Sequence, residues 1–259
     1  MKRGAETPLF WYTVLTMEIK YKTVFITGAA SGIGLETAKK FIDEGANVTI
    51  YSRGTSAILE GLFPDDRVLV HEGDVCDRDE VGRAVDATMK KFGSLDVLVN
   101  NAGIALRKRF EEMTEDEWNK MLNVNMCGLF VVTQEVLKAM DTSVAETDHD
   151  GCTIKRKCII NISSGAGLFG IPELSIYSAT KAAVIAFTQA LSGELVQSGI
   201  DVITITPGSV DTGMFKQLFE GKIPHHSPTD VADVIYKTVI GEIKADNRMV
   251  VDTFYHQRV

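Results

Sequence analysis

The segment at residues 23–34 reads TVFITGAASGIG. Its first five residues are apolar or β-branched, which favours a strand buried on both faces. Gly28 then allows a sharp turn, Gly32 lets the backbone approach a ligand, and Gly34 lets a following helix pack close to the strand. We interpret the segment as a strand, a turn and a helix whose N-terminus offers free N–H groups to a diphosphate. An ordinary glycine-rich turn is the alternative.

The same alternation of strand and helix patterns recurs along the chain. Short apolar runs predict strands at 23–27, 47–51, 67–71, 95–99, 158–162, 201–206 and 248–252. Helical periodicity predicts helices at 34–44, 80–92, 115–140, 178–197 and 229–242. Alternation of this kind predicts an α/β fold, a doubly wound parallel sheet of about seven strands with helices on both faces.

Composition and charge narrow the class of protein. The 259 residues carry 27 Lys and Arg against 35 Asp and Glu, a net charge of −8, and 45% are hydrophobic. This balance is typical of a soluble globular protein. The acidic excess argues against nucleic acid as a partner, because phosphate binding needs clustered cations. No apolar run is long enough to span a membrane, so we expect a cytoplasmic protein.

The four cysteines at positions 76, 127, 152 and 158 are few and scattered. They do not form a disulfide framework, and Cys152 and Cys158 lack the matching pair that a zinc site needs. Reduced thiols in the cytoplasm are the expected state. No clustered ligands appear elsewhere, so we expect no metal site.

Two segments depart from the regular pattern. Residues 1–16 are interpreted as an N-terminal extension, either preceding a natural start at Met17 or forming a peripheral arm, and residues 17–259 as a single nucleotide-binding domain. The polar segment at 141–157 is longer than a usual helix-to-strand loop. A tolerated surface insertion is the favoured interpretation, and a functional loop is the alternative.

Further motifs follow the glycine turn in order. The chain supplies Asn100-Asn101-Ala102-Gly103, Asn125, Ser164, Tyr177, Lys181, Pro207-Gly208 and Thr212. With Thr-Gly-x-x-x-Gly-x-Gly at 27–34, this ordered set resembles the short-chain dehydrogenase/reductase family over about residues 20 to 215. The resemblance implies a Rossmann-type fold, a nicotinamide cofactor and a homodimer or homotetramer.

Tyr177 and Lys181 stand four residues apart on a helical pattern, so their side chains share one face. A nearby ammonium and the nicotinamide cation would each lower the pKa of the Tyr177 phenol towards the working range of an acid/base catalyst. Ser164 follows the fifth strand and can donate a hydrogen bond to a substrate oxygen. A surface Tyr–Lys pair with a capping serine is the alternative.

The resemblance assigns these catalytic residues more specific roles. It implies that Tyr177 is the general acid for carbonyl reduction and the general base for alcohol oxidation. Lys181 would hold the nicotinamide ribose, Ser164 would orient the substrate, and Asn125 would support a water and proton relay.

The end of the second strand reads Tyr51-Ser52-Arg53. An acidic residue here would accept the ribose 2′-hydroxyl of NAD, whereas an arginine suits the extra phosphate of NADP. Arg53 can bind that phosphate through its guanidinium and Ser52 can add a hydrogen bond. We therefore predict that NADP is preferred and NAD is the weaker alternative. A solvated Arg53 is the competing interpretation.

The remaining cofactor contacts are implied by the resemblance. Asp74 and Val75 would contact the adenine, although Asp74 or Asp77 could instead cap the next helix. Val210 and Thr212 would contact the nicotinamide end. The full predicted cofactor set is Gly28, Ser31, Gly32, Ile33, Gly34, Ser52, Arg53, Asp74, Val75, Asn101, Ala102, Gly103, Tyr177, Lys181, Pro207, Gly208, Val210 and Thr212.

The candidate substrate pocket is mostly apolar: Ile104, Ala105, Gly165, Leu168, Pro172, Leu174, Ser209, Met214 and Phe215. It favours a neutral ketone, alcohol or sugar, as in a glucose 1-dehydrogenase, or a 3-oxoacyl thioester. His225 and His226 lie between two prolines, and we interpret them as a turn.

A non-catalytic NADP sensor and a lyase or epimerase are the alternative classes of function. The first would not need Ser164, Tyr177 and Lys181 together, and the second would need a substrate domain after Thr212.

Overall fold

The computed structural model describes residues 17–54, 59, 62–63, 66–140 and 157–256. The interpretations of residues 1–16, of Cys152 and of nearly all the insertion at 141–157 lie outside this part of the chain. Of the cysteines within it, Cys76 and Cys127 are exposed and Cys158 is buried.

A seven-stranded parallel sheet forms the centre of the fold, which confirms the predicted class. The strands are β1 (Thr23–Thr27), β2 (Asn47–Ser52), β3 (Val68–Glu72), β4 (Val97–Asn100), β5 (Lys157–Ile162), β6 (Ile200–Thr206) and β7 (Val250–Asp252). Their order across the sheet is β3-β2-β1-β4-β5-β6-β7. Each observed boundary lies within two residues of its prediction, because continuous apolar runs mark strands buried on both faces.

The core lies on both faces of the sheet. Val24 and Ile26 of β1 pack into one cluster, with Val97 and Val99 of β4. Phe25 of β1, between them in sequence, packs into the other cluster together with Leu98 and Ile159. Successive side chains of a strand point to opposite faces, so these central strands contribute to both layers of the core.

The helices cover the two faces. They are α1 (Gly32–Asp43), α2 (Arg78–Phe92), α3 (Glu115–Leu122), α4 (Leu129–Ala139), α5 (Gly165–Leu168), α6 (Ser175–Leu195), α7 (Gly213–Leu218), α8 (Pro228–Val239) and α9 (Thr253–His256). Asp77 accepts hydrogen bonds from the backbone N–H groups of Asp79 and Glu80 and so caps α2. The alternative role of Asp74 as that cap is therefore wrong. Of the helices in the described ranges, none is long and apolar enough to cross a bilayer.

The single helix predicted at 115–140 is interrupted in the structure. A π-helical segment at Asn123–Gly128 separates α3 from α4. Its wider turn carries Asn125, whose side chain bonds to the backbone of Ile104 and to Thr180. These tertiary bonds compensate for the less favourable helical geometry, and π segments of this kind occur frequently at functional sites.

The connections place a cleft at one edge of the sheet. From β1 the chain passes to β2 and β3 on one side, and then returns to β4 on the other side. Ligands of open α/β sheets bind at this reversal, outside the carboxyl ends of the strands. The predicted motifs follow the carboxyl ends of β1, β2, β4, β5 and β6, so all of them converge on this edge.

Candidate active site

A cavity of about 870 Å³ lies at this edge of the sheet. It brings together nearly all the predicted site residues. Gly28, Ser31, Gly32, Ile33, Ser52, Arg53, Asp74, Val75, Asn101, Ala102, Gly103, Ser164, Tyr177, Lys181, Pro207, Gly208, Val210 and Thr212 line it. Of the predicted set, Gly34 and Asn125 lie outside this lining and act on the residues that do line it.

The glycine turn forms the floor of the cavity below α1. Gly28 and Gly32 adopt positive φ angles of 65° and 55°, a conformation that other residues rarely adopt. Gly34 serves close packing instead, because a Cβ atom there would lie 2.5 Å from the side-chain nitrogen of Asn101 and 2.6 Å from the carbonyl oxygen of Gly28. Ser31 begins α1 without a side-chain bond to it. The start of this helix lines the cavity, and its first N–H groups receive no bond from the Ser31 side chain, an arrangement that fits a diphosphate.

Asn101 and Thr27 fasten this turn to the end of β4. The Thr27 hydroxyl oxygen accepts the backbone N–H groups of Asn101 and Ala102, each at 3.0 Å. The Asn101 side chain donates to the carbonyl oxygens of Thr27 and Gly28 at 3.0 and 3.1 Å. Asn101 lines the predicted cofactor site and also holds its shape.

Ser52 and Arg53 lie at the predicted ribose end of the cavity. The Arg53 guanidinium is 58% exposed and lies 3.8 Å from the Asp74 carboxylate, a loose ion pair. Asp74 is itself fixed, because its carboxylate accepts the Cys76 N–H at 2.9 Å and its carbonyl accepts the Tyr51 hydroxyl at 2.9 Å. Exposed pairs of this kind contribute little free energy, so Arg53 can turn to an anion in the cavity.

Tyr177 and Ser164 approach each other from α6 and the end of β5. Ser164 accepts the backbone N–H of Ala166 at 3.2 Å, and its side chain also hydrogen-bonds that of Tyr177. Burial raises the pKa of Tyr177, and the Ser164 bond acts in the opposite direction. The expected lowering is therefore not supplied by the chain's own residues, because desolvation disfavours the phenolate more than the serine stabilises it.

Lys181 lies one helical turn after Tyr177 and is only 5% exposed. Its ammonium donates to the carbonyl oxygen of Ile162 at 2.8 Å and lies 5.7 Å from the centre of the Tyr177 ring. Burial lowers its pKa from the ordinary value of 10.5 to about 8. A Cβ atom on Gly103 would lie 3.5 Å from this ammonium, so the glycine keeps the space in front of Lys181 open.

Asn125 acts behind the cavity. Its side-chain oxygen accepts the Ile104 N–H at 2.8 Å, and its nitrogen donates to the Ile104 carbonyl at 2.9 Å and to the Thr180 hydroxyl at 3.1 Å. These bonds tie the chain after Gly103 to α6, the helix that carries Tyr177. The structure thus gives Asn125 a positioning function, and the proton relay stays a prediction.

The substrate end of the cavity is apolar. Among the sequence candidates, Ile104, Gly165, Leu168, Leu174, Ser209, Met214 and Phe215 line it, whereas Ala105 and Pro172 do not. The sequence reasoning missed Phe169, Ile171, Leu218, Phe219, Ile223 and Phe254. The spacing of Met214, Phe215 and Leu218 on one helical face could have indicated the lining residues of α7.

The turn at His225 closes one side of this end. The Ser209 hydroxyl and Nδ1 of His225 are 2.6 Å apart, and the Ser209 carbonyl and hydroxyl both accept the His225 N–H at 3.1 Å. Phe254 lies beside it, packed so closely over Gly208 that a Cβ atom there would be 2.5 Å from the ring. Both Phe254 and Gly208 line the cavity, so the C-terminal helix α9 contributes to its wall.

Comparison with known proteins identifies the family. The family model described as short chain dehydrogenase matches residues 22–223. A 3-oxoacyl-(acyl-carrier-protein) reductase from Thermotoga maritima is 36% identical over 236 residues, which cover 85% of this chain and 90% of that reductase.

Two solved structures from Brucella melitensis have the same architecture. One, described as a short-chain dehydrogenase/reductase and glucose/ribitol dehydrogenase, has a TM-score of 0.80 at 25% identity and covers 92% of this chain and 97% of that one. The other, a 3-ketoacyl-(acyl-carrier-protein) reductase complexed with NADH, has a TM-score of 0.78 at 29% identity, with coverage of 90% and 97%. With its parallel sheet, glycine turn and Tyr–Lys helix, this chain belongs to the short-chain dehydrogenase/reductase family.

Proposed function

We propose that this protein is an NAD(P)-dependent oxidoreductase that interconverts a carbonyl group and a secondary alcohol by hydride transfer. The observation that carries the proposal is that Ser164, Tyr177 and Lys181 line the same cavity as the glycine turn. A non-catalytic sensor would need the turn alone. The named relatives are oxidoreductases, which supports the same reaction class.

The chain's own residues suit both directions of this reaction. A nicotinamide cofactor, when bound, would supply the hydride to a carbonyl carbon or accept it from an alcohol carbon. In reduction, Ser164 donates a hydrogen bond to the substrate oxygen and Tyr177 donates its proton to the same oxygen. In oxidation, Tyr177 takes the hydroxyl proton. The Lys181 ammonium lies over the Tyr177 ring, and the positive charge of a bound oxidised nicotinamide would favour the phenolate.

We infer that NADP is the preferred cofactor. Arg53 supports this inference, because its side chain is exposed at the cavity edge beside Ser52 and its ion pair to Asp74, at 3.8 Å, is loose. The NADH complex of one relative leaves NAD as the alternative for this chain.

The substrate we infer is a neutral carbonyl compound with an apolar substituent, such as a ketone or a 3-oxoacyl thioester. The apolar wall formed by Leu168, Phe169, Ile171, Phe215 and Phe219 supports this class. Sugars are less well matched, since their hydroxyl groups would lose water against these side chains. A cytoplasmic location and a homodimer or homotetramer remain predictions.

The test of the reaction is cofactor oxidation measured with NADPH against ketones, aldehydes, ketoesters and 3-oxoacyl thioesters. Tyr177→Phe should lower kcat by roughly a thousandfold or more, while the cofactor Kd changes less than about threefold. The matched control is Tyr236→Phe. The Tyr236 hydroxyl donates a hydrogen bond to Glu44 on the outer surface, and its removal should leave the protein active. Near-normal turnover by Tyr177→Phe would overturn the proposal, and tight cofactor binding without turnover on any class would favour the sensor.

The test of the cofactor preference is Arg53→Gln. Removal of the guanidinium should weaken NADPH binding by about 10- to 100-fold, in line with the loss of a charge-assisted phosphate contact, and leave NADH binding nearly unchanged. Arg248→Gln, which loses only an ion pair to Asp246 at the far end of the sheet, is the control. Equal effects on NADPH and NADH, or a lower KM for NAD in the original protein, would contradict the preference.

A further inference from the structure

The outer wall of the substrate cavity is a short segment that we call the lid, residues 213–223, which contains α7. Thr212 caps α7 by accepting the Phe215 N–H at 3.2 Å. Phe215, Leu218, Phe219 and Ile223 of the lid line the cavity. Ile223 is 87% exposed, so the lid presents apolar surface with little burial of its own. A segment with so few buried contacts opens at a low free-energy cost unless other groups hold it.

Arg107 contacts both this lid and the loop that precedes Tyr177. Its Nε and Nη2 donate to one carboxylate oxygen of Glu173, at 2.8 and 2.5 Å. Its Nη1 donates to the carbonyl oxygen of Leu218 at 3.3 Å, and the guanidinium carbon lies 5.2 Å from the centre of the Phe219 ring. One side chain thus joins the C-terminal end of α7 to the opposite wall of the cavity.

The backbone at Glu173 indicates that this contact is built into the fold. Glu173 has a φ of +66°, in the left-handed region that residues with a side chain seldom occupy. Its carbonyl accepts the Lys108 N–H at 2.8 Å, next to Arg107. Two neighbouring contacts therefore hold a strained conformation, which places the Glu173 carboxylate under the Arg107 guanidinium.

We propose that Arg107 is a positioning residue that latches the lid onto Glu173 and keeps the apolar wall of the substrate cavity in place. The contacts of Arg107 with Glu173, Leu218 and Phe219 are sufficient to infer that the lid is held closed, whereas the effect of the lid on catalysis rests on the proposed function. Arg107 lies outside the cavity lining, so it acts through Leu218 and Phe219 rather than on the reacting atoms.

The first test measures opening of the lid without any substrate. Lys216 and Lys222 lie in the lid, and the Lys216 side chain is 70% exposed, so trypsin can report opening by cleavage after either residue. Since exposed ion pairs and cation–π contacts are individually weak, we expect Arg107→Gln to speed this cleavage by about 5- to 20-fold. Arg107→Lys should recover part of the difference.

The matched control is Arg109→Gln, two residues away, which loses an ion pair to Glu111 and does not contact the lid in the described structure. It should cleave at the original rate. Mass spectrometry identifies the cleaved bonds, and melting temperatures separate local opening from general unfolding. Equal cleavage rates in Arg107→Gln and Arg109→Gln would overturn the latch, whatever reaction the protein performs.

The second test measures the kinetic consequence. With a long methyl ketone such as decanone, Arg107→Gln should raise KM by roughly 5- to 20-fold and change kcat less than about twofold, whereas with butanone both constants should stay close to the original. Glu173→Gln should reproduce the effect, and the double variant should add little to either single change. A uniform loss of kcat with both ketones would contradict a positioning function. If the original protein reduces no carbonyl compound, the proposed function fails, and the trypsin result still decides the latch.

Discussion

The two ends of the cavity are held together in different ways. At the cofactor end, short bonds between backbone groups and buried side chains join Thr27 and Asn101, and glycines leave no space for a Cβ atom. At the substrate end, apolar side chains such as Phe169, which is 74% exposed, line the cavity with little burial. The difference indicates that the first end fixes a constant ligand while the second can vary with the substrate, and each end should respond differently to mutation.

The largest combined effect on stability and on cofactor binding should come from the tightest contact at the cofactor end. Gly34→Ala would place a Cβ atom 2.5 Å from Asn101 and 2.6 Å from the Gly28 carbonyl. We expect it to destabilise the fold by about 1–3 kcal/mol through overpacking and to weaken cofactor binding about tenfold or more. Thermal unfolding and fluorescence titration with NADPH measure the two effects.

Gly82→Ala on α2 is the matched control, because a Cβ atom at that position meets no neighbour within 4 Å. It should instead stabilise the helix by about 0.5–1 kcal/mol. If Gly34→Ala were as harmless as Gly82→Ala, the cofactor end would not be the rigid one.

A second, pH-dependent effect should arise at Lys181, between the two ends. Its folded pKa of about 8 lies below the ordinary 10.5, so between these values the unfolded chain binds more protons than the folded one. Burial of the ammonium therefore costs free energy below about pH 8, and this cost disappears as the pH rises towards 10.5.

The variant Lys181→Met isolates this contribution. We compare the free energy of unfolding of the variant with that of the original protein, both without cofactor. The difference should favour the variant most below about pH 8 and should shrink by roughly 3 kcal/mol by pH 10.5. Denaturant unfolding at several pH values measures the difference, in which the other titrating groups largely cancel. A difference independent of pH would mean that Lys181 keeps its ordinary pKa in the fold.

The smallest effect on stability should occur at the substrate end. Phe169→Ser removes a ring that lines the cavity and is already exposed, so the free energy of unfolding should change by less than about 0.5 kcal/mol. The KM for a long-chain ketone should rise several-fold and the cofactor Kd should stay constant. Phe110 is 54% exposed and lies away from the cavity, so Phe110→Ser should leave the free energy of unfolding and the KM unchanged. A large loss of stability at Phe169 would remove the contrast between the ends.

The sheet could be predicted from the sequence because its strands are short apolar runs and each run is a local signal. The glycine turn was equally local, and the positive φ angles at Gly28 and Gly32 match the expected use of glycine. The position of Tyr177 and Lys181 on one helix face required only helical spacing. In each case residues close in sequence determine the feature.

The remaining features depend on contacts between distant residues. Nothing in the residues at 123–128 distinguishes a π-helical segment from an ordinary helix, since the bonds from Asn125 reach Ile104 and Thr180. Phe254 reaches Gly208 only after β7 has joined the sheet. The pKa of Tyr177 was expected to fall because of nearby charge, whereas burial, which depends on the whole fold, raises it.

The bonds between Thr27 and Asn101 also bear on how such proteins can be recombined. Residues 27–34 and 99–102 are remote in sequence, yet the Thr27 hydroxyl bonds to the backbone of the second segment, and the Asn101 side chain bonds back to the Thr27 and Gly28 carbonyls of the first. A chimera that exchanges the glycine turn alone would leave amide donors at Asn101 and Ala102 facing a foreign partner. The two segments therefore have to be exchanged together. If a chimera takes them from different parents, both parents need threonine at position 27 and asparagine at position 101.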